Sequence, residues 1–271
     1  MKMRLITLTT DFGLIDEYVG IMKGVILSHC PAARIVDLTH QVPPQDLRRA
    51  AYSIEAARPY FPSGTLHVLV VDPGVGTERR LVLVAAAGQL FLAPDNGVLT
   101  LVVRAGFEAA YQVECRELFL EPLSATFHGR DILAPVAAAL ARGMAPEAVG
   151  RRLPREELAM LPLPSPMIDP NGPAVTGEVV SIDHFGNLLT NISRETFLRA
   201  GGPSPAAISL RVRETVIAGP APAYGSAAPG ELVALFGSRG LLEIAVNQGN
   251  AAQRLAVAPG EPVLVSFAGN R

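Results

Sequence analysis

Four short polar segments of the sequence carry side chains that could take part in a reaction: Thr9–Gly13, Val71–Thr77, Asp95–Gly97 and Thr126–Asp131. The first three follow runs of apolar and β-branched residues typical of strands, and the fourth precedes an alanine-rich helix. Because ligands of parallel α/β sheets bind outside the carboxyl ends of the strands, we expect these segments to share one edge of a sheet. Each segment taken singly is also explained by a turn with a capping side chain, and for Asp95–Gly97 we prefer that interpretation.

Two other kinds of site are worth testing on the same residues. The segment Gly74–Thr77 lacks the third glycine of a dinucleotide-binding loop and the Gly-Lys-Ser/Thr of a P-loop, and a strand rather than a helix follows it. Carboxylates and histidines could instead form the metal site of a hydrolase. No pair has the spacing of a His-x-x-x-His motif, so we predict no metal site. The candidate ligands would be Asp11, Asp16, His40, Asp72, His128 and Asp131.

Two polar segments in the second half of the chain surround predicted turns. Ser181–Asn191 contains Asp183, and Gly237–Ala252 contains Ser238 and Arg239. Hairpin turns explain either segment, because glycine and asparagine are common there. An arginine beside a serine on a glycine-flanked loop also suits a carboxylate ligand, since the guanidinium donates two parallel hydrogen bonds and the hydroxyl adds another.

Composition limits the classes of protein to consider. Of the 271 residues, 49% are hydrophobic and 18% are charged, which is enough apolar material for a sizeable core. The formal net charge of −2 disfavours nucleic-acid binding, which requires clustered positive charge. No apolar run reaches the roughly 18 residues of a membrane helix, and the polar Thr9–Asp11 comes too soon for a signal peptide. We therefore expect a soluble, cytoplasmic protein without a nucleic-acid or membrane partner.

The elements that would position the first group of residues alternate between strand and helix. Apolar periodicity predicts helices at Ile15–Cys30, Asp46–Tyr60 and Asp131–Arg142. Strands are predicted at Arg4–Thr9, Arg34–Leu38, Thr65–Asp72, Arg80–Ala86 and Gln89–Ala93. Strands separated by helices indicate an N-terminal α/β domain with a mainly parallel sheet covered on both faces.

The second half of the chain has a different pattern. Six prolines between Leu153 and Pro173 indicate a linker, which we place at 161–173, between domains at 1–160 and 174–271. A short helix is predicted after Ser193. Short strands bounded by glycine and proline are typical of a small β-barrel or sandwich. They are Val175–Ile182, Ala207–Val212, Glu231–Phe236, Leu241–Val246 and Pro262–Phe267.

Six motifs, taken together and in chain order, resemble those of the S-adenosylmethionine hydroxide adenosyltransferases, the hydrolytic relatives of the fluorinase and chlorinase enzymes. They are Thr-Thr-Asp-Phe-Gly, Val-Asp-Pro-Gly-Val-Gly-Thr-x-Arg-Arg, Ala-Pro-Asp-Asn-Gly, Thr-Phe-His-Gly-Arg-Asp, Asp-x-Phe-Gly-Asn and Ser-x-Gly-x-x-Glu-Ile-Ala. The resemblance implies a C-terminal β-barrel and a homotrimer whose sites lie between subunits. It also implies cofactor-free hydrolysis of S-adenosyl-L-methionine to adenosine and L-methionine, by attack of water or hydroxide on the ribose 5′ carbon.

The resemblance further implies roles for individual residues. The catalytic residues of the hydrolytic branch correspond to Asp72, Arg79 and His128, with Arg80 as the alternative arginine. A cation beside the water favours hydroxide, and Asp72 or His128 would accept or orient the proton. The substrate-binding residues would be Asp11 at the ribose diol, Asp183 at the ammonium, Ser238 and Arg239 at the carboxylate, Asn187 beside one of these groups, and Phe185 and Ala252 at adenine.

Two other functions stay open at this level. A 5′-halogenase is disfavoured, because the halogenases differ at Asp-Pro-Gly-Val-Gly and the fluorinase has an insertion that is absent between Arg80 and Gly88. A non-catalytic adenosine or S-adenosylmethionine binding protein would need Asp11 but not the three catalytic residues together. The products formed from S-adenosylmethionine distinguish all three functions.

Overall fold

The chain folds into two compact units, Met1–Pro162 and Leu163–Arg271. A computed structural model describes residues 5–201 and 208–267. The ends of two predicted strands, Arg4 and Ala207, lie outside the described residues. No helix within the described ranges combines the length and the apolar character that a membrane crossing requires.

The first unit contains a seven-stranded sheet. Its strands are β1 (Leu5–Thr10), β2 (Arg34–Thr39), β3 (Leu66–Val70), β4 (Leu81–Ala86), β5 (Gln89–Pro94), β6 (Phe107–Gln112) and β7 (Arg152–Leu153). They lie in the order β2-β1-β3-β5-β4-β6-β7, with parallel pairing from β2 to β5 and antiparallel pairing beyond. Five of the seven strands therefore run in one direction, β4 and β7 being the exceptions. The predicted α/β fold with a mostly parallel sheet is confirmed.

Helices cover both faces of this sheet. They are α1 (Tyr18–His29), α2 (Leu47–Ala57), α3 (Thr100–Gly106) and α4 (Ala134–Ala141). Successive side chains of a strand point to opposite faces, and β3 shows the consequence. Val68 and Val70 pack in one core with α1 and α4, whereas Leu69 and Val71 pack in another with α2 and α3. Burial on both faces explains why these strands are apolar almost throughout.

Some elements of the first unit differ from those predicted. The helix predicted from Ile15 begins at Tyr18, and the Ile15 side chain is 100% exposed instead of buried. The helix predicted from Asp131 starts as a π-helical turn at Gly129–Leu133 and continues as α4. The sequence does not predict α3 or β6. The segment FEAAYQ of β6 contains no β-branched residue, so its strand structure depends on pairing with β4 and β7.

The second unit contains an eight-stranded antiparallel sheet. Its strands are β8 (Met167–Ile168), β9 (Ala174–Ile182), β10 (Leu188–Ser193), β11 (Ile208–Val212), β12 (Thr215–Ala218), β13 (Leu232–Phe236), β14 (Leu241–Val246) and β15 (Pro262–Phe267). Seven follow the order β12-β11-β15-β9-β10-β14-β13, and β8 pairs with β9. The N–H of Ala221, which follows β12, donates to the carbonyl oxygen of Ala234 in β13 at 2.7 Å. The sheet is thus nearly closed and barrel-like.

Two helices complete this unit, α5 (Arg194–Arg199) and α6 (Ala251–Leu255). The predicted helix after Ser193 is confirmed as α5, and the Ser193 hydroxyl caps it by accepting a hydrogen bond from the N–H of Thr196 at 3.0 Å. Strand β10 is not predicted, because its first four residues lie in the polar segment interpreted as a turn. The predicted linker 161–173 includes β8, which pairs with β9.

Candidate active site

Asp72 and Arg79 form an ion pair across a tight turn after β3. Nε of Arg79 donates to both carboxylate oxygens of Asp72, at 3.0 and 2.8 Å. Within the turn, the N–H and the hydroxyl of Thr77 both donate to the carbonyl oxygen of Gly74. Gly76 has a φ of +78°, a backbone conformation that L side chains rarely adopt. The glycines therefore let the chain reverse and bring together two residues seven positions apart.

His128 joins this pair from another part of the chain. Nη2 of Arg79 lies 2.8 Å from Nδ1 of His128. A guanidinium can only donate, so Nδ1 accepts this hydrogen bond and the imidazole proton is on Nε2. Burial and the positive charge of Arg79 lower the pKa of His128 below its ordinary 6.5, so the imidazole is neutral at neutral pH. Asp72, Arg79 and His128 are called the triad below.

The residue after His128 explains how its loop comes so close to the sheet. A Cβ at Gly129 would lie 3.2 Å from Sδ of Met22 in α1 and 3.3 Å from Cγ1 of Val70 at the end of β3. These distances are shorter than ordinary van der Waals contacts, so a larger residue would push the loop outward. Because Asp72 follows Val70 by two positions, the close approach of Gly129 brings His128 to the ion pair.

Arg80, the alternative arginine, has other partners. Its Nε and Nη2 donate to Oδ2 of Asp95 at 3.0 and 2.7 Å, and its Nη1 donates to Glu157 at 3.1 Å. Next to Asp95, the Asn96 side chain donates to the carbonyl oxygen of Val71 at 2.9 Å and holds the segment before the ion pair. Asp95 and Asn96 therefore support the site through contacts with other protein groups. Because Arg79, and not Arg80, contacts both Asp72 and His128, Arg79 is the arginine of the triad.

Asp11 follows β1 at the same edge of the sheet. Thr10 of β1 is in register with Val70 of β3, so these adjacent strands end side by side. Oδ2 of Asp11 accepts a hydrogen bond from the N–H of Gln45 at 2.8 Å, whereas Oδ1 has no hydrogen-bond partner within residues 5–201 and 208–267. Oδ1 can therefore accept a further hydrogen bond.

Two of the other metal-ligand candidates, Asp131 and His40, contact protein groups, whereas Asp16 is exposed. Asp131 pairs with Arg130 and accepts a hydrogen bond from the N–H of Ser124 at 2.8 Å. Nδ1 of His40 lies 2.9 Å from the hydroxyl of Thr10. Across the part of the chain that the structure describes, no three His, Cys, Asp or Glu side chains form a group that could hold a metal ion.

In the second unit, Asp183 organises the loop between β9 and β10. Its Oδ1 accepts hydrogen bonds from the N–H groups of Phe185 and Asn187, each at 2.9 Å, and its Oδ2 accepts one from Nδ2 of Asn187 at 2.9 Å. Gly186 has a φ of +86°, and a Cβ there would overlap the side chain of Asn250. The loop is thus held both by its own carboxylate and by the residue that caps α6.

A cavity of about 850 Å³ opens beside this loop. Five of the seven residues predicted to bind substrate line it: Asp183, Phe185, Asn187, Ser238 and Arg239. Of the other two, Asp11 belongs to the first unit, and Ala252 is not a lining residue. The N–H of Ala252 instead donates to the carbonyl oxygen of Gly186 at 3.0 Å, which ties α6 to the loop.

Tyr224 and Glu243 also line the cavity, and the sequence analysis assigns neither of them a role. The Tyr224 hydroxyl donates to Oε2 of Glu243 at 2.7 Å, although Glu243 is only 5% exposed. Burial and the adjacent Glu243 raise the pKa of Tyr224 to about 12, so the phenol stays protonated. The sequence does contain one indication of a role for Glu243, because it is the one charged residue in the apolar strand LLEIAV. No comparable sequence feature marks Tyr224.

Comparisons with known proteins cover nearly the whole chain. The family models for the SAM hydroxide adenosyltransferase N-terminal and C-terminal domains match residues 6–150 and 177–264. The chain is 41% identical to the (R)-S-adenosyl-L-methionine hydrolase of Thermus thermophilus, over 96% of this chain and 99% of that protein. It is 32% identical to a fluorinase of Actinoplanes sp., over 73% of this chain and 74% of that one. A crystal structure of an uncharacterized conserved protein from Thermotoga maritima matches with a TM-score of 0.91 and 40% identity, over 97% of this chain and 100% of that chain.

Proposed function

The chain belongs to the S-adenosylmethionine hydroxide adenosyltransferase family, and we propose that it hydrolyses S-adenosyl-L-methionine to adenosine and L-methionine. The observation that carries this proposal is the contact of Arg79 with both Asp72 and His128 at the edge of the sheet. The 41% identity to a hydrolase over nearly the full chain supports it, against 32% over a shorter stretch for a fluorinase. The protein is an enzyme of the hydrolase class.

In the proposed reaction, water or hydroxide attacks the ribose 5′ carbon in line with the sulfur. The C–O bond forms as the C–S bond breaks, and the electron pair of the broken bond stays on sulfur, which becomes the neutral thioether of methionine. One proton of the attacking water is released. A sulfonium is already a good leaving group, so catalysis has to improve and orient the nucleophile.

The triad has the groups that this nucleophile needs. The positive charge of Arg79 favours hydroxide when the attacking water loses its proton, and its hydrogen bonds to Asp72 and His128 fix the orientation of the guanidinium. The Asp72 carboxylate can accept the proton, whereas His128, whose Nδ1 accepts from Arg79 and whose Nε2 carries the imidazole proton, can orient the water by donating to it. General-base catalysis of this kind contributes about 10²–10⁴-fold to a rate, and alignment of the nucleophile adds to it.

The remaining site residues would bind the substrate by its separate chemical groups. The carboxylate of Asp11 suits the two ribose hydroxyls, since its Oδ1 has no protein partner in the described ranges. Arg239 and Ser238 suit the methionine carboxylate. Asp183 and Asn187 would contact the amino-acid part of the substrate, as predicted from the sequence. Phe185 and Ala252 would contact adenine. The exposed ring of Phe185 offers a surface for stacking.

We also propose a preference for the R configuration at sulfur, which is the epimer in the name of the Thermus relative. A pocket that holds both the ribose and the amino acid can align only one sulfonium epimer for in-line attack. Incubation of the separated epimers, with adenosine measured over time, tests this. Faster turnover of the S epimer would contradict it.

Product analysis tests the reaction itself. Incubation with S-adenosylmethionine, with and without chloride or fluoride, should yield adenosine and methionine in equal amounts. A 5′-halo-5′-deoxyadenosine would identify a halogenase, and binding without turnover at high enzyme concentration would identify a binding protein. We propose that no cofactor is required, so the rate should be unchanged after treatment with a chelator.

Finally, we propose that the protein is a homotrimer, in which the first unit of one subunit and the second unit of the next contribute to each site. The division of the predicted site residues between two units of the chain supports this assembly. The finer architecture, a small β-barrel domain joined through a linker at 161–173, and the cytoplasmic location are likewise proposed from the sequence.

A further inference from the structure

Asp183, which is predicted to bind the ammonium group of the substrate, already accepts hydrogen bonds from other groups of the protein. Asp183 accepts three hydrogen bonds from its own loop, two at Oδ1 and one at Oδ2. These bonds hold the loop in shape, so the carboxylate has a structural task. An ammonium group carries three N–H donors and is best matched by a carboxylate with acceptor positions left open.

Glu243 has such a position in the same cavity. Its Oε2 accepts a hydrogen bond from the Tyr224 hydroxyl at 2.7 Å, and its Oε1 has no hydrogen-bond partner in the described part of the chain. The residue is 5% exposed, and it lines the cavity. Glu243 forms no ion pair in the described part of the chain, and burial of a carboxylate without a cation is costly, so its position in an apolar strand points to a positively charged ligand.

The surroundings of Glu243 place this anion next to a cation. A Cβ at Gly237 would overlap the Glu243 carboxylate, so the carboxylate lies directly against the turn that carries Ser238 and Arg239. Within residues 5–201 and 208–267, Arg239 forms no ion pair, although it lines the cavity. The turn and the strand β14 that follows it therefore provide a guanidinium and a carboxylate that are not paired with each other. This arrangement complements an α-amino acid, whose ammonium and carboxylate groups share one carbon atom.

We propose that Glu243, oriented by Tyr224, binds the α-ammonium group of the methionine part of the substrate, beside a carboxylate site at Ser238 and Arg239. This inference rests on the proposed function and assigns to that site a further specificity-determining residue. The Tyr224 hydroxyl donates to Oε2, which leaves Oε1 for the ligand, and it stays protonated because its pKa is raised to about 12.

A substrate analogue in which hydrogen replaces the α-amino group tests the assignment. We expect the unmodified enzyme to prefer S-adenosylmethionine over this analogue by about ten-fold or more in kcat/KM. In Glu243→Gln, KM for S-adenosylmethionine should rise about ten-fold and the preference should disappear, while KM for the analogue and the affinity for adenosine stay unchanged. A Glu243→Gln enzyme that keeps the full preference would overturn the inference.

A second variant and a matched control complete the experiment. Tyr224→Phe should lose part of the same preference, and if Glu243→Gln does not fold, an unchanged preference in Tyr224→Phe overturns the inference. Glu214→Gln, which changes an exposed carboxylate in the turn between β11 and β12, should behave like the unmodified enzyme. If the unmodified enzyme forms no adenosine, the proposed function itself fails. If it forms adenosine and the variants keep the preference, only this inference fails.

Discussion

Nη2 of Arg79 donates a hydrogen bond to Nδ1 of His128 over 2.8 Å, while Nε of the same side chain binds both carboxylate oxygens of Asp72. The guanidinium thus lies between a carboxylate and a neutral imidazole and is held by each of them. Loss of Arg79 would leave both other groups without this partner, and loss of Asp72 or His128 would leave the guanidinium held on one side only. Changes at these three positions should therefore act on the rate of reaction more than on substrate binding.

Alanine variants of the two outer residues test this expectation. We expect His128→Ala and Asp72→Ala each to reduce kcat by ten-fold or more, because each removes a group that orients Arg79 or accepts the proton. Substrate affinity, measured by calorimetry, should change little. Near-full turnover in either variant would show that the residue has no catalytic role.

The rate should also depend on pH through His128. The pKa of His128 in the folded protein is below 6.5, so the neutral imidazole, which accepts a hydrogen bond from Arg79, predominates above pH 6.5. The neutral form is lost as the pH falls through the lowered pKa. The associated stability has the same sign: it is present above pH 6.5 and is lost on acidification. We expect an acid limb in kcat with its midpoint below pH 6.5, and no such limb in the residual activity of His128→Ala. An identical limb in the variant would assign it to another group.

Two neighbouring arginines make a matched pair of variants. Arg79→Lys should reduce kcat by about a hundred-fold, since an ammonium cannot donate to both carboxylate oxygens of Asp72 and to His128 in the same geometry. Arg80→Lys alters the pairing with Asp95 and should mainly lower the thermal stability. Steady-state rates and melting temperatures of both variants measure the difference. If Arg80→Lys reduced the rate more than Arg79→Lys does, Arg80 rather than Arg79 would be the catalytic arginine.

Asp11 should act on binding rather than on the chemical step. A hydrogen bond to a charged acceptor is worth about 1.5–3 kcal/mol, so losing two of them in Asp11→Ala should weaken adenosine affinity by about two orders of magnitude. Asp16→Ala, which removes an exposed carboxylate shortly after it in the chain, serves as the control. Titration calorimetry with adenosine measures both, and equal affinities would show that Asp11 does not hold the ribose.

The proposed trimer predicts complementation between inactive subunits. Asp72 and Arg239 belong to different units of the chain, so a site built from two subunits can be intact when each subunit carries one substitution. Mixing unfolded Asp72→Ala and Arg239→Ala chains and reassembling them should restore part of the activity. A fully active monomer at nanomolar concentration would contradict the assembly, and so would inactive mixed trimers.

Local sequence patterns were sufficient for the elements that carry the first-unit residues. Apolar runs followed by polar segments predict β1 and β3 and place Asp11 and Asp72 at one edge of the sheet; the structure adds that the two strands are neighbours, with Thr10 in register with Val70. The closely spaced glycines likewise predict the turn between Asp72 and Arg79. By contrast, β6 and β10 pair with strands distant in sequence, and neither was predicted: β6 has no β-branched residue, and most of β10 lies in a polar segment that a turn also explains.

The pairing of side chains across long sequence separations was decided only by the tertiary structure. Arg79 and Arg80 are adjacent and chemically identical, but the folded chain directs one side chain to Asp72 and the other to Asp95. His128 reaches the site from 49 residues away because Gly129 packs tightly against β3. In the second unit, the contact of Tyr224 with Glu243 likewise depends on the folding of the whole sheet. Residue types and motifs were sufficient to identify most side chains of the candidate site. Which of these side chains contact one another depends on tertiary packing, which no local pattern encodes.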